Sequence, residues 1–574
     1  MAVQPDMPSK TVWILVPLVL TALVYLLTTT GRGVIDYDEG YYAQAAKNMA
    51  ESGDWVTPTV NGVRFLEKPP FLYWLTAASF KIFGIHEFAL RLPTALAVIA
   101  LVWVVMLTVR CAAGGFAAMT AGLCMAFSAG TFLFTRETLH DVWLVLFVSL
   151  AMYAFIVWHL NPLHPRRPAL LFYAAIAGAV LCKSLIGLAF PVGIVAVFFL
   201  VSRERPRWPT LHFLPGILLF LALTVPWHWL AAARNEGFLD FFFVGEQLLR
   251  FFGKREPPVL WSLPVLTFWA LLLVWMFPWT AFLPAAIAGS RRIEDRNRRA
   301  LVRLSLAWAG VILVFFSISA RLEHYAFPAL PALSILVAAA LDKSESRWAL
   351  RGFRFLGIFG IAALLAGAGA VVWFAAGGPG LAGTGPTDRL AGTDFSILAE
   401  MPAETVMRLL RPAAAAAAVL GIGFLAALRL ETRGRRTQAV LCLAAVMAIV
   451  CGAIHWSLII CEDLISSKKF ALAVAKEALP GDRLVVVGDY ESANSLSFYV
   501  PMRVEVTEGV AYALIPGMKF PDAPKIVLTG NEFQDAWRSS GRVFALVPAD
   551  RAVELKPGGI VVERALHRVL VMNH

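Results

Sequence analysis

The stretch "TVWILVPLVLTALVYLLTTT", Thr11 to Thr30, decides the fold class. It carries no charge. As a helix rising about 1.5 Å per residue, such a run spans roughly 30 Å, the thickness of bilayer hydrocarbon. It is too long for a signal-peptide core, and no small-residue cleavage site follows it directly. It therefore reads as a first transmembrane helix that stays. The rest of the 574-residue chain continues in kind, with 59% apolar residues and a mean hydropathy of +0.69. That composition lies far above a soluble domain.

Apolar runs mark about thirteen spans, near 11–30, 92–109, 113–133, 142–158, 169–183, 185–202, 212–230, 262–285, 301–318, 326–341, 354–375, 413–428 and 438–460. The pair within 169–202 is divided only by Lys183. Loops after even-numbered spans are short and basic, with Arg166 and Arg167, then Arg205 and Arg207, Arg291 to Arg299, Lys343 to Arg354, and Arg433 to Arg436. Positive loops stay in the cytoplasm. The net charge of +11 is thus topological, and no nucleic-acid partner is needed to explain it. The N-terminus is expected in the cytoplasm and, with an odd span count, the C-terminus outside. The six cysteines all lie in or beside apolar runs, without metal-ligand spacing or a disulfide framework.

Two domains are expected. Residues 1–461 form the membrane part, whose first outer loop covers 31–91. Within it, "YYAQAAKNMAESG" reads as a capped helix. "PPFLYWLTAASFKIFG" reads as a helix too short to span, lying at the interface. The segment 377–412 reads as a mobile loop. From 462 to 574 the pattern changes. "DRLVVVGDY" and "KIVLTG" read as buried strands, and "ALAVAKEALPG", "NEFQDAWRSSG" and "PADRAVELK" as helical or connecting segments. This tail suits a small α/β domain on the outer face.

The outer-side loops gather ionisable and aromatic residues: Asp36, Asp38, Glu39, Glu67 and Lys68; Arg136, Glu137, His140 and Asp141; Lys183; Glu246, Arg250, Lys254 and Arg255; Arg321, Glu323, His324 and Tyr325. Each has a plain structural explanation. Asp38 and Glu39 serve as helix caps, and Glu67 with Lys68 is a surface pair. Asp141 is an N-cap, Lys183 a snorkelling lysine, and Arg250 and Tyr325 are interface anchors. Their shared side of the membrane is the stronger observation, because charge near a bilayer is costly and tends to be paired or functional. A charged, lipid-linked ligand fits such a cluster.

The run "DYDEGYYAQAAKNMAESGDWVTPTVNGVRFLEKPPFLYWLTAASFKIFGIHEFALRLP" resembles the first outer loop of GT-C class polyprenyl-phosphate-dependent glycosyltransferases. These include protein O-mannosyltransferase-like proteins, and the run is most similar to the aminoarabinose transferases that modify lipid A. The resemblance rests on an acidic pair before a Tyr-rich helix, a "GDW..P..NG" turn and "EKPP", and extends more weakly over the membrane part. It implies an α-helical GT-C fold with a periplasmic C-terminal domain. The implied donor is a sugar on undecaprenyl phosphate, and the acceptor is lipid A or another periplasmic group.

The resemblance also implies residue roles. Asp38 matches the catalytic carboxylate and Asp141 the second aspartate. Lys68, Arg250 and Tyr325 match the groups that meet the donor phosphate. Glu67 matches a glutamate that meets a divalent metal, the one cofactor implied. Glu39, Lys183 and His324 are supporting residues. Two positions depart from the family pattern: Glu246-Gln247 where Glu-His is common, and "LEHY" where "LPTY" is usual. The expected chemistry is an inverting transfer, since one displacement at the anomeric carbon needs only a base and a grip on phosphate. Alternatives are a transfer to a protein or glycan hydroxyl, a transporter or flippase, and a scaffold with an outer binding domain.

Overall fold

A computed structural model describes residues 12–255, 262–290, 293–342, 347–376, 401, 403–553, 555 and 559–574. Most of the loop expected at 377–412, together with Arg291, Arg292 and Lys343, lies outside the described residues.

Each expected apolar run is helical. Among the described residues, nine helices are long and apolar enough to cross a bilayer, from Glu87–Arg110 to Arg436–Ile460. A further pair of apolar helices, a broken span or a re-entrant loop, is sharply bent. Val265–Trp275 and Trp279–Gly289 meet at 96°, where Pro278 withdraws a backbone donor from the turn. Three further runs are helical but fall below that length or hydropathy: Val12–Leu27, Gly115–Ala126 continued by Ala129–Phe134, and Arg166–Lys183.

The boundary at Lys183 is a sharp reversal. Ser184 adopts φ 56°, and Leu185–Ser202 turns back against Arg166–Lys183. The two helices touch so closely that a Cβ on Gly187 would overlap the Ala179 carbonyl. This fold-back leaves Lys183 at the tip of its helix.

Loop 1 and the C-terminal region stack together at one end of the bundle. In loop 1, helix Asp38–Ser52 is followed by a short hairpin, β1 (Thr59–Val60) and β2 (Val63–Arg64), and by helix Phe71–Phe83. The last of these was expected to lie at the membrane interface; its Leu72, Tyr73, Ala77 and Phe80 are buried, Phe71, Trp74 and Leu75 are half-buried, and Ile82 and Phe83 at its end are exposed. Its apolar face is covered by helix Asp38–Ser52 and by the C-terminal region, which the local sequence does not reveal.

The C-terminal region holds β3 (Arg483–Val487), β4 (Val504–Thr507), β5 (Val527–Leu528), β6 (Val543–Pro548), β7 (Ile560–Ala565) and β8 (Arg568–Met572). Their order is β5-β4-β3-β6-β8-β7; the first four are parallel and the last two antiparallel. Successive side chains on a strand face opposite ways. Leu484 and Val486 accordingly join the loop 1 residues Tyr41, Phe65 and Tyr73 in one core. Val485 and Ala545 pack on the other face with Phe533 and Trp537 of helix Gly530–Arg538. The sheet thus shares its core with loop 1. Within the segment "PADRAVELK", expected to be helical or connecting, Pro548 ends β6 and Arg551–Val553 makes a helical turn.

Candidate active site

A cavity of about 340 Å³ lies where loop 1 meets the bundle. Eight of the nine expected protein side chains line it: Asp38, Glu67, Lys68, Asp141, Lys183, Arg250, His324 and Tyr325. They come from segments far apart in the chain. Asp38 opens the first loop 1 helix, and Glu67 and Lys68 precede the Pro69-Pro70 start of the second. Asp141 opens helix His140–Leu160, and Lys183 sits on the fold-back. Arg250 follows a wide-turned π-helical stretch, Asp240–Leu249, a distortion common at functional sites. His324 and Tyr325 begin the Glu323–Leu341 span.

Glu67 is the electrostatic hub. Its Oε1 lies 2.6 Å from Lys68 Nζ, 3.5 Å from Arg250 Nη1 and 3.6 Å from Arg255 Nη2. Glu246 takes up the second side of both arginines, at 3.3 Å from Arg250 and 2.6 Å from Arg255. Burial pushes the Glu67 carboxyl up, but Lys68, Arg255 and Arg250 outweigh it and hold it well below the usual range. Arg250 Nη2 also donates to Tyr325 Oη at 3.2 Å. The Tyr325 oxygen, opposed by burial and joined by Glu67 and Glu246, keeps the guanidinium firmly charged.

In the same cavity, Lys183 Nζ is 2.6 Å from Asp141 Oδ1 and 4.7 Å from the centre of the Tyr325 ring. His324 Nε2 is 3.8 Å from the other Asp141 oxygen. Among the described residues, no cation lies this close to Asp38. Its carboxylate accepts a hydrogen bond from the Tyr42 hydroxyl at 3.4 Å. Burial raises the Asp38 carboxyl above the ordinary range; Lys68 and Lys183 pull against this while Glu67 and Asp141 add to it. A carboxylate in this state is a stronger base than one in water. Tyr42 was not singled out from sequence, although its place four residues after Asp38, on the same helix face, is a signal.

Glu39 does not line the cavity. It is fully buried and clamped by Arg91, at 2.9 Å and 2.7 Å to its two oxygens, with Arg32 at 3.5 Å. Asp36 also points elsewhere, into the C-terminal region.

The metal expectation meets a poor donor set. Glu67 already faces three cations, position 247 is a glutamine, and among the described residues no group of three or more His, Cys, Asp or Glu could hold a metal ion. A divalent ion at Glu67 would have to displace these partners against like charge.

Residues 67–229 match the family model of dolichyl-phosphate-mannose-protein mannosyltransferases. Two undecaprenyl phosphate-alpha-4-amino-4-deoxy-L-arabinose arabinosyl transferases are similar to the chain. The one from Yersinia enterocolitica is 30% identical over 62% of this chain and 66% of its own length. The one from Aeromonas salmonicida is 28% identical over 60% and 63%. The chain thus matches just under two thirds of these relatives' length. The crystal structure of ArnT from Cupriavidus metallidurans bound to undecaprenyl phosphate superposes with a TM-score of 0.82, at 27% identity and 98% coverage of both chains. The resemblance read from loop 1 is borne out. The chain is a multi-pass membrane protein with the GT-C fold of the aminoarabinose transferases, including a C-terminal sheet.

Proposed function

We propose that this chain is an inverting glycosyltransferase that moves 4-amino-4-deoxy-L-arabinose from undecaprenyl phosphate to lipid A. It would act at the periplasmic face of a bacterial inner membrane, with its N-terminus in the cytoplasm and its C-terminus in the periplasm. The observation that carries the reading is the cation cluster of Lys68 and Arg250, with the Tyr325 hydroxyl, sharing one cavity with Asp38. A polyprenyl chain stays in lipid, so its phosphate and sugar arrive at the depth of this cavity.

Lys68 and Arg250 bind the donor phosphate by charge-assisted hydrogen bonds, with the arginine fork suited to two oxygens. Before the donor enters, Glu67 holds both cations in place. The phosphate competes for them, and their charge is then directed at the leaving group. An acceptor oxygen attacks the anomeric carbon from the side opposite the phosphate. The sugar–phosphate C–O bond breaks, its electrons pass to the phosphate, and Lys68, Arg250 and Tyr325 stabilise the developing charge. One displacement inverts the anomeric centre. A lipid A phosphate is already an anion, so Asp38 then orients the amino sugar more than it removes a proton. Asp141, held by Lys183, positions the acceptor. No step runs through a metal ion.

A second reading keeps the donor and replaces the acceptor with a protein or glycan hydroxyl. The raised Asp38 carboxyl favours it, because a hydroxyl needs a base. Purified protein mixed with the lipid-linked sugar and each acceptor separates the two. Product on lipid A supports the first reading and product on a hydroxyl the second. Full transfer by Asp38→Asn would sink the assigned role of Asp38 in either case. Transport of the donor without bond cleavage would return the chain to the flippase alternative.

A further inference from the structure

Two residues before the site, the chain is gripped by the C-terminal region. The Asp36 carboxylate is 4% exposed. It accepts from the Ser495 backbone N–H at 2.9 Å and the Ser467 hydroxyl at 2.9 Å, with Arg568 of β8 at 3.6 Å. The Asp36 N–H donates to the Ile465 carbonyl at 2.8 Å. Both peptide groups of Tyr37 are also held, the N–H by the Glu491 carbonyl at 3.1 Å and the carbonyl by Asn494 Nδ2 at 2.7 Å. Between these contacts Tyr37 adopts φ 69°, ψ −124°, although its own side chain is exposed. A tyrosine takes this left-handed conformation only where its surroundings impose it. The approach is close: a Cβ on Gly40 would overlap the Asn494 amide and lie 3.1 Å from the Ser495 nitrogen.

The next residue is Asp38. Unlike Glu67 and Asp141, it has no cation among the described residues within salt-bridge distance to fix its direction. We propose that the C-terminal region is a clip that aims Asp38 into the cavity, with Asp36 and Asn494 as positioning residues. The strained Tyr37 peptide carries the constraint, and Gly40 lets the clip seat. This deepens the proposed function and rests on its assignment of Asp38. It gives the C-terminal region a part in the reaction without any contact with substrate.

The test uses the full-length protein with the single variants Asn494→Ala and Asp36→Asn and the double variant. Misaiming a reacting group by about 1 Å costs on the order of 10²-fold in rate. The expected result is a fall in kcat of at least roughly tenfold, with the donor KM unchanged, because Lys68 and Arg250 are untouched. The double variant should be no worse than the more severe single variant, since both loosen one clip. An Asp38 freed toward water also loses the burial that raises its carboxyl, so the acid limb of the kcat–pH profile should move to lower pH. The groups facing it in the native site are Tyr42 on its own helix, Lys68, Glu67 and Tyr73 from the rest of loop 1, Glu137 before helix His140–Leu160, Asp141 in its first turn, and Lys183 on the fold-back. A merely structural loss would reduce the amount of folded protein and leave that limb in place.

Hydrogen exchange provides an arm independent of activity. Amides of residues 36–39 should exchange faster in Asn494→Ala, while those of β3 and β6 keep their native rates. Unchanged kcat, or unchanged exchange at 36–39, overturns the clip. If the native protein turns over no lipid-linked sugar, the functional reading fails, and exchange alone decides whether the clip exists.

Discussion

Replacing Glu39 by glutamine should destabilise the protein without touching the cavity, whereas the same change at its neighbour Asp38 should do the reverse. Glu39 is fully buried against Arg91 and Arg32. Burial pushes its carboxyl up, yet the two guanidinium groups bring it from the ordinary 4.5 down to about 2. That difference, at about 1.36 kcal/mol per pH unit, corresponds to roughly 3 kcal/mol of stability. The figure matches the ~3–5 kcal/mol lost when one partner of a buried ion pair is removed. The sign fixes the pH window. Because the folded-state value lies below the unfolded one, the contribution is complete above about pH 4.5 and is lost as pH falls toward 2. The assay is thermal unfolding of detergent-solubilised native and Glu39→Gln protein at pH 7 and pH 3. The variant should unfold several degrees earlier at pH 7, and the gap should narrow at pH 3. Equal midpoints at pH 7, or a gap independent of pH, would refute the reasoning.

Other consequences concern the site. Lys68→Ala should lower kcat/KM for the lipid-linked donor by about 10²–10³-fold, the loss seen when one donor to a developing anion is removed. Arg250→Lys should keep charge but lose the fork, and so fall between the native protein and Arg250→Ala in the same assay. Tyr325→Phe should cost less, about fivefold, as befits one neutral hydrogen bond. Activity should be lost on acidification through a pKa above the ordinary 3.8 of an aspartate, since the Asp38 carboxyl is raised by burial; a pH–rate profile with no such limb would contradict this. Chelators should leave transfer unchanged, because Glu67 is committed to Lys68, Arg250 and Arg255.

The membrane helices were legible because burial in lipid demands long apolar runs, and hydropathy reports them directly. The residues that share the cavity were also legible as a group, because chain alternation puts them on one side of the bilayer. Their pairing was not. Asp38 and Glu39 look alike in sequence, and only Arg91, 52 residues further along, separates the cavity carboxylate from the buried one. Asp36 likewise has its partners 431 and 459 residues away. The burial of helix Phe71–Phe83 depends on a sheet at the other end of the chain. Strands β4 and β7 interleave Glu505, Glu563 and Arg564 with apolar residues, which weakens their local signal, whereas β6 ("VFALVP") and β8 ("RVLVM") are apolar runs as continuous as β3 that the sequence reading passed over. Long-range contacts of this kind leave no trace in a local window.

The central claim is donor and acceptor identity, and mass spectrometry of lipid A tests it most directly. Cells carrying the gene should show lipid A bearing an added aminoarabinose mass. Deletion should remove it, and a plasmid copy of the native gene, but not of Lys68→Ala, should restore it. Lipid A of unchanged mass on deletion, with the lipid-linked sugar present, would contradict the account.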